Sequence, residues 1–311
     1  MKVKQIEIAG YLNHSWFYSI LVIFSWGIVP ALAKTSNLPG GYSTFWVSLF
    51  SAVSVLLIML VKGYLSQFRA TKYYRPFILL SIFWPLINSL AFFSVIKASN
   101  GSMTTLLNYL WPLFALLFLT RKMRIPPIGI ILALFGFLGI ALSLFLDGSL
   151  KLVFGPLIFG FAIPITQAYF NVATTDDNVY PTKYAWLLTF VGALVTTIGS
   201  AIYIMIFENG KFSIDVPIAT FIPLAIIGLV GNTIGFYSFL RAGQLSKEPS
   251  EKVWFILLMF LIPFAQVFFL VITRVESNIS PARFIGIVIV AISFLAFKLW
   301  EKRNMKISKI T

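Results

Sequence analysis

Ten acidic residues, one histidine and no cysteine are all that the 311-residue chain offers for acid–base, nucleophilic or metal chemistry. The acidic set is Glu7, Asp147, Asp176, Asp177, Glu208, Asp215, Glu248, Glu251, Glu276 and Glu301, and every member falls between apolar runs or at their ends. The single histidine, His14, precedes the first such run. No nucleophile with a base, no metal cluster and no carboxylate pair lies within an apolar run, which argues against an intramembrane enzyme and predicts no metal and no cofactor.

The residues that remain inside the runs are amides and indoles. Trp84, Asn88 and Phe92 recur every four residues, on one face of a helix, and Asn108, Trp111 and Ala115 share another stripe. Gln167 and Asn171 stack four apart, Asn232 sits among Gly228, Gly231 and Gly235, and Gln266 follows Pro263. In hydrocarbon an amide facing lipid has no hydrogen-bond partner, so these groups turn inward, either as interhelical links or toward a shared cavity. Trp26, Trp84 and Trp111 each lie near a proline (Pro30, Pro85, Pro112) and are the indoles expected at such a cavity. Rings supply apolar area and attract an ammonium group. Amides and freed carbonyls satisfy polar groups, so the chemistry is reversible binding of a small amphipathic or zwitterionic solute. The substrate-contact candidates are Trp26, Trp84, Asn88, Asn108, Trp111, Gln167, Asn171, Asn232 and Gln266. Pro30, Pro112, Pro164 and Pro263 are candidate bends or hinges. The glycine face around Asn232 reads as close helix packing.

Hydrophobic residues make up 59% of the chain and charged residues 11%, against about 25% charged in soluble domains. Each crossing of a bilayer takes about 20 apolar residues. Apolar runs predict spans near 15–33, 43–61, 76–96, 102–120, 126–146, 152–174, 184–207, 218–240, 252–273 and 280–299. The segment from Met1 to His14 is polar, and the run after it shows no cleavage pattern, so the first span is expected to persist in the mature protein.

The net charge of +14 is scattered over short connections rather than gathered on one face, which predicts no nucleic-acid partner and a lipid bilayer instead. Of the 24 Lys and Arg residues, only Lys34, Lys97, Lys151, Lys211, Arg274 and Arg283 fall in one set of loops, and 18 fall in the other set with both termini. The positive-inside rule then predicts ten crossings with both termini cytoplasmic, in an inner or plasma membrane. Trp16, Trp46, Trp186 and Trp300, near span ends, read as interface anchors.

Five spans per half require the second half to lie upside down if the halves are related. FSVIKAS (Phe93–Ser99) ends span three and FLRAGQLS (Phe239–Ser246) ends span eight. Each precedes a helix with a mid-span proline, Pro112 or Pro263, and then a terminal helix with Gly129 or Gly286 near its start. The expected fold is an all-α integral membrane protein of ten transmembrane helices, with residues 1–147 and 148–311 as inverted five-helix repeats and a basic tail.

The stretch from Leu107 to Gly139, with NYLWP at Asn108 to Pro112, resembles the fourth and fifth helices of the drug/metabolite transporter superfamily, EamA-like branch, and in its motif the aromatic amino-acid exporters. That resemblance implies a secondary transporter working by alternating access, its cavity lined mainly by helices one, three, four, six, eight and nine, with five and ten peripheral. Two positions depart from it: the basic run Arg121–Arg124 replaces a glutamate often found after the fourth helix, while Glu276 is kept in the second half, and Ile163–Pro164 stands where the exporters carry a tryptophan. With no mid-membrane carboxylate, facilitated diffusion or exchange is expected rather than proton coupling. A phosphate-sugar or nucleotide-sugar carrier on the same fold, or a non-transporting receptor or scaffold, is the alternative. Lys34 or Lys97, at span ends, are further candidates for contact with a substrate carboxylate. Monomer and homodimer remain equally open.

Overall fold

The computed structural model describes residues 14–36, 38–98, 101–146, 160–208, 217–274 and 281–307, and among them every regular element is helical. The elements join end to end into rods: α1 (Ser15–Gly27, then Val29–Thr35), α2 (Gly40–Val61), α3 (Tyr74–Ser81, Ile82–Ile87, Asn88–Ala98), α4 (Gly101–Asn108, Trp111–Leu119) and α5 (Pro127–Leu146). They continue as α6 (Ala162–Ala173), α7 (Ala185–Phe207), α8 (Ile218–Ile226, Ile227–Gly235, Phe236–Leu245), α9 (Pro249–Leu258, Met259–Leu261, Ile262–Ile272) and α10 (Pro281–Ile307). Among the described residues eight helices are long and apolar enough to cross a membrane, and Leu106–Leu119 is a shorter apolar one. The chain is therefore a multi-pass helical membrane protein.

The predicted spans fall on these rods, the largest extensions being those of α8 to Leu245 and α10 to Ile307. Both added turns are polar, and a helix leaving hydrocarbon keeps its internal hydrogen bonds whatever its side chains. The sixth span lies partly outside the described residues, as do Glu7, Asp147, Lys151, Lys211, Asp215 and Glu276 and the side chains of Lys34, Lys97 and Arg283.

Burial is inverted relative to a soluble protein. Phe284, Val288, Ile292, Leu295 and Leu299 form an exposed apolar stripe along α10, while Val290, Ser293 and Phe297 on its other side are buried. That stripe needs lipid. Conversely α2 buries its small and hydroxyl residues, Gly40, Gly41, Ser43, Thr44, Ser48 and Ser51.

The rods pack in matched pairs. α5 lies on α10 and α2 on α7; α4 meets α6 and α9 meets α1; α3 meets α7 and α8 meets α2; α1 meets α8 and α3 meets α6. Shifting each label by five leaves α5–α10 and α2–α7 unchanged and converts each of the other pairs into the one named beside it. Helix irregularities follow the same shift: α3 widens into a π segment at Ile82–Ile87 and α8 at Ile227–Gly235, while α4 and α9 are interrupted just before Trp111–Pro112 and Ile262–Pro263.

The connections sort to two ends. At one, the Gln67 amide donates to the Lys183 carbonyl at 3.0 Å, Lys122 Nζ donates to the Val172 carbonyl at 3.0 Å and Lys252 Nζ to the Gly243 carbonyl. The two lysines thus take up carbonyls in the last turns of α6 and α8, where the helix dipole favours a cation. Trp254 Nε1 donates to Glu301 at 3.0 Å, bringing α10's far end there, and Arg241 lies over the Tyr18 ring at 5.8 Å, bringing in the start of α1. At the opposite end the Gly41 amide, first turn of α2, donates to Glu208 at 3.0 Å. Arg69, Lys72, Arg121, Arg124 and Lys247 stand on connections at the first, basic end.

Of the expected interface tryptophans, Trp46 is not an anchor. It packs edge-on to Phe221 at 4.8 Å and tilted on Phe50, with its Nε1 buried.

The glycine face of α8 packs as its composition requires. A Cβ on Gly228 would stand 2.7 Å from the Val47 carbonyl oxygen and from Phe50 Cβ, and one on Gly231 2.7 Å from Val29. Since backbone of α2 is what blocks position 228, Gly228→Val forces the helices apart. A loss of about 1–3 kcal/mol should appear as a lower midpoint in thermal unfolding followed by tryptophan fluorescence in detergent. An unchanged midpoint contradicts this contact.

Candidate functional site

Prolines decide where the rods open. Each removes an amide and clashes with the carbonyl four residues back, which leaves the Trp26 carbonyl free before Pro30 and the Asn108 carbonyl free before Pro112. α1 breaks at Ile28, α4 at Tyr109–Leu110, α6 is interrupted at Phe161 ahead of Pro164, and α9 tightens at Met259–Leu261 ahead of Pro263. All four expected bend positions thus follow an interruption by one to three residues. α3 departs most, with Trp84 at φ −146°, ψ 120° inside the π segment and Pro85 next to it.

Between these breaks lies a cavity of about 110 Å³. Trp26, Trp84, Asn88, Asn108, Gln167, Asn232 and Gln266 all line it, seven of the nine residues chosen for contact with a solute. Trp111 and Asn171 do not. Trp111 is fully buried beneath Phe239, ring centroids 5.3 Å apart, and Asn171 sits deeper, its amide against Gly243. The α4 break explains the first: helical phase does not carry from Asn108 across Tyr109–Leu110 to Trp111, so the inferred stripe is not one face. Tyr109 lines the cavity in its place.

Further lining residues come from helices that the resemblance leaves out. α2 contributes Ser48 and Ser51, and α7 contributes Thr189, Ala193 and Thr196. Their signal was in the sequence as small and hydroxyl residues three to four apart, the pattern of a helix face that permits close approach.

None of the described lining side chains is charged. Its polar groups divide by use. Trp26 Nε1 donates to the Gly231 carbonyl at 3.0 Å, and Asn88 Nδ2 to the Ile163 carbonyl at 2.8 Å. Ser51 and Thr233 hydroxyls pair at 2.9 Å, and Thr197 donates to Ser48 at 3.0 Å. These are links between helices. The Trp84 Nε1–H and the Tyr109 hydroxyl, both buried, have no protein partner among the described residues. Among the described residues no protein hydrogen bond occupies the amides of Asn108, Gln167, Asn232 and Gln266.

Toward the basic end the cavity floor is aromatic. Trp84 stacks on Phe236 with centroids 4.7 Å apart at 15°, and touches Phe170 at 4.3 Å. Trp26 leans on Phe239 at 5.0 Å, and Phe239 on Phe255 at 5.5 Å. Five rods meet in this plug, and Phe170 and Phe239 are fully buried in it.

No family model matches the chain, and no curated protein does. One solved structure, described only as a crystal structure of a protein, is similar over 93% of this chain and 98% of its own, with a TM-score of 0.75 at 19% identity. That likeness extends to the fold.

The division of labour among the amides has a measurable consequence. Asn88→Leu removes the link from α3 to the Ile163 carbonyl of α6 and should cost about 0.6–2 kcal/mol of stability, whereas Gln266→Leu should leave the unfolding midpoint of the detergent-solubilised protein near that of the parent. Equal losses from both would contradict the distinction between a linking and a cavity-facing amide.

Proposed function

We propose that the chain is a secondary transporter of the drug/metabolite transporter type, EamA-like, which moves small amphipathic or zwitterionic solutes, amino acids foremost, by alternating access. The single observation that carries this reading is a neutral, amide- and indole-lined cavity midway along the bundle, walled from the basic end by interlocked aromatic rings. A receptor or scaffold needs no such space. The matched packing pairs and the repeated irregularities of α3 with α8 and α4 with α9 support two inverted five-helix repeats, residues 1–147 and 148–311. The gathering of basic residues at the end shared by His14 and Ile307 supports cytoplasmic termini.

The lining sets the solute class. A phosphate-sugar or nucleotide-sugar would bring two or more negative charges into a cavity with no Lys or Arg among its described lining residues, an uncompensated cost. An amino acid brings offsetting charges: its carboxylate meets indole, phenol and amide donors, its ammonium meets freed carbonyls, amide oxygens and ring faces. The cavity volume of about 110 Å³ is below the about 300 Å³ where drug-sized pockets begin, which suits a small solute held in an occluded state. Prolines 30, 112, 164 and 263 then mark where half-helices swing when the plug opens. Without an intramembrane carboxylate, transport is exchange or facilitated diffusion.

Reconstituted vesicles preloaded with an unlabelled amino acid should take up labelled amino acid by counterflow, and an imposed pH gradient alone should not strongly accelerate uptake. Gln266→Leu and Asn232→Leu should each lower uptake by about tenfold, one lost hydrogen bond to a charged group. Uptake driven mainly by the pH gradient contradicts the uncoupled mechanism. Failure of every amino acid, with transport of phosphorylated sugars, contradicts the solute class.

A further inference from the structure

A second space opens at the basic end, about 620 Å³, and its lining differs in kind from the central cavity. Arg241, Asp177 and Lys183 stand in it beside the faces of Trp186 and Tyr237. It lies in line with the central cavity. Tyr237 belongs to the vestibule and its neighbour Phe236 to the cavity, while on α7 Trp186 and Thr189 divide in the same way. Three residues of helix are about 4.5 Å, so only one layer of side chains separates the two spaces. On the cavity side of that layer stands the Phe236–Trp84 stack.

Two features of the vestibule are unspent. The Arg241 Nε–H is buried and has no acceptor among the described residues, although its guanidinium rests over the Tyr18 ring. An unpaired buried N–H of a cation costs more than a neutral one, and a carboxylate is its natural complement. Asp177 is anchored through a single oxygen, Oδ1, which accepts from the Thr182 amide at 2.7 Å and from its hydroxyl at 2.8 Å. Those two bonds, before the nearby charges of Lys247 and Arg241, hold its carboxyl below the usual carboxylate range, so it is ionised at neutral pH. Trp186 and Tyr237 stack at 3.9 Å and 12°, a rigid apolar face in the same space as the two charges.

We propose that this vestibule is a second binding site, where Arg241 takes the carboxylate and Asp177 the ammonium of an apolar amino acid whose side chain lies on the Trp186–Tyr237 stack before it passes the aromatic layer. The proposal rests on the transporter reading above and adds to it a station on the basic side with charged recognition. The central cavity, its described lining free of charge, then receives a solute already selected as a zwitterion. Neither station alone supplies both the charge test and the uncharged pocket.

The chain's lack of cysteine makes labelling kinetics a local probe. Tyr64→Cys reports on the vestibule, which Tyr64 lines, and Ser89→Cys on the central cavity. L-phenylalanine should slow reaction of a hydrophilic maleimide at both positions, L-phenylalaninamide should protect neither well, and N-acetyl-L-phenylalanine should protect poorly at position 64. Adding Arg241→Gln should weaken protection at position 64 by about tenfold, the loss of one charge-assisted hydrogen bond, while saturating L-phenylalanine still protects Ser89→Cys and so reports an intact fold. Protection at position 64 that is indifferent to Arg241→Gln, or equal for acid and amide, overturns the vestibule site. Protection of Ser89→Cys without any at position 64 also overturns it and leaves the transporter reading standing. Protection at neither position removes the amino-acid reading, and the vestibule site with it.

Discussion

Hydrocarbon offers no hydrogen-bond partner, and the rest of this structure depends on that one constraint. A chain that is 59% hydrophobic must still place every backbone amide and carbonyl, and in lipid only helices do so within a single segment. The same constraint orients the side chains. Leu57, Ile198 and Ile292 face outward because lipid accepts them, and Ser51 with Thr233 and Ser48 with Thr197 face inward because the members of each pair find each other.

Prolines turn the constraint into a site. A break in a helix releases carbonyls that lipid cannot satisfy, so broken segments have to lie together in the bundle's interior. Some of the exposed backbone is taken up by neighbours: Trp26 reaches the Gly231 carbonyl in the widened part of α8, and Asn88 reaches the Ile163 carbonyl beside the α6 interruption. These two links join α1 with α8 and α3 with α6, pairs that correspond under the five-helix shift. What the links leave over, with Trp84 Nε1, the Tyr109 hydroxyl and four amides, is the polar inventory of the cavity. Packing, bending and candidate recognition thus have one physical origin.

That origin also explains how far the sequence could be read. Rods were legible because apolar runs bounded by charge are long and unambiguous, and their ends moved most where a polar turn continued a helix, as at Leu245 and Ile307. Asn88, Gln167, Asn232 and Gln266 were legible because an amide in an apolar run has only one direction to face. Trp111 and Asn171 were placed by helical phase, and phase fails where backbone irregularity intervenes or where a helix is deeper than the cavity it borders. Ser48, Ser51, Thr189 and Thr196 were missed because a hydroxyl can satisfy itself on its own helix, as Thr189 does with the Ala185 carbonyl at 2.8 Å, so its presence in a span carries less directional force than an amide. The vestibule was not visible at all, since it joins α7, α8 and two connections that only the fold brings to one end.

The central claim, that α8 presents a wet polar face inward and a lipid face outward, is tested most directly by nitroxide labels on single cysteines along that helix. Asn232 lines the cavity, whereas Leu229 is 43% and Ile222 56% exposed on the apolar surface. In reconstituted protein, the label replacing Asn232 should relax through collisions with a water-soluble nickel chelate, and those replacing Leu229 and Ile222 through collisions with dissolved oxygen. Oxygen-dominated relaxation at position 232 together with chelate-dominated relaxation at 222 and 229 would contradict the account.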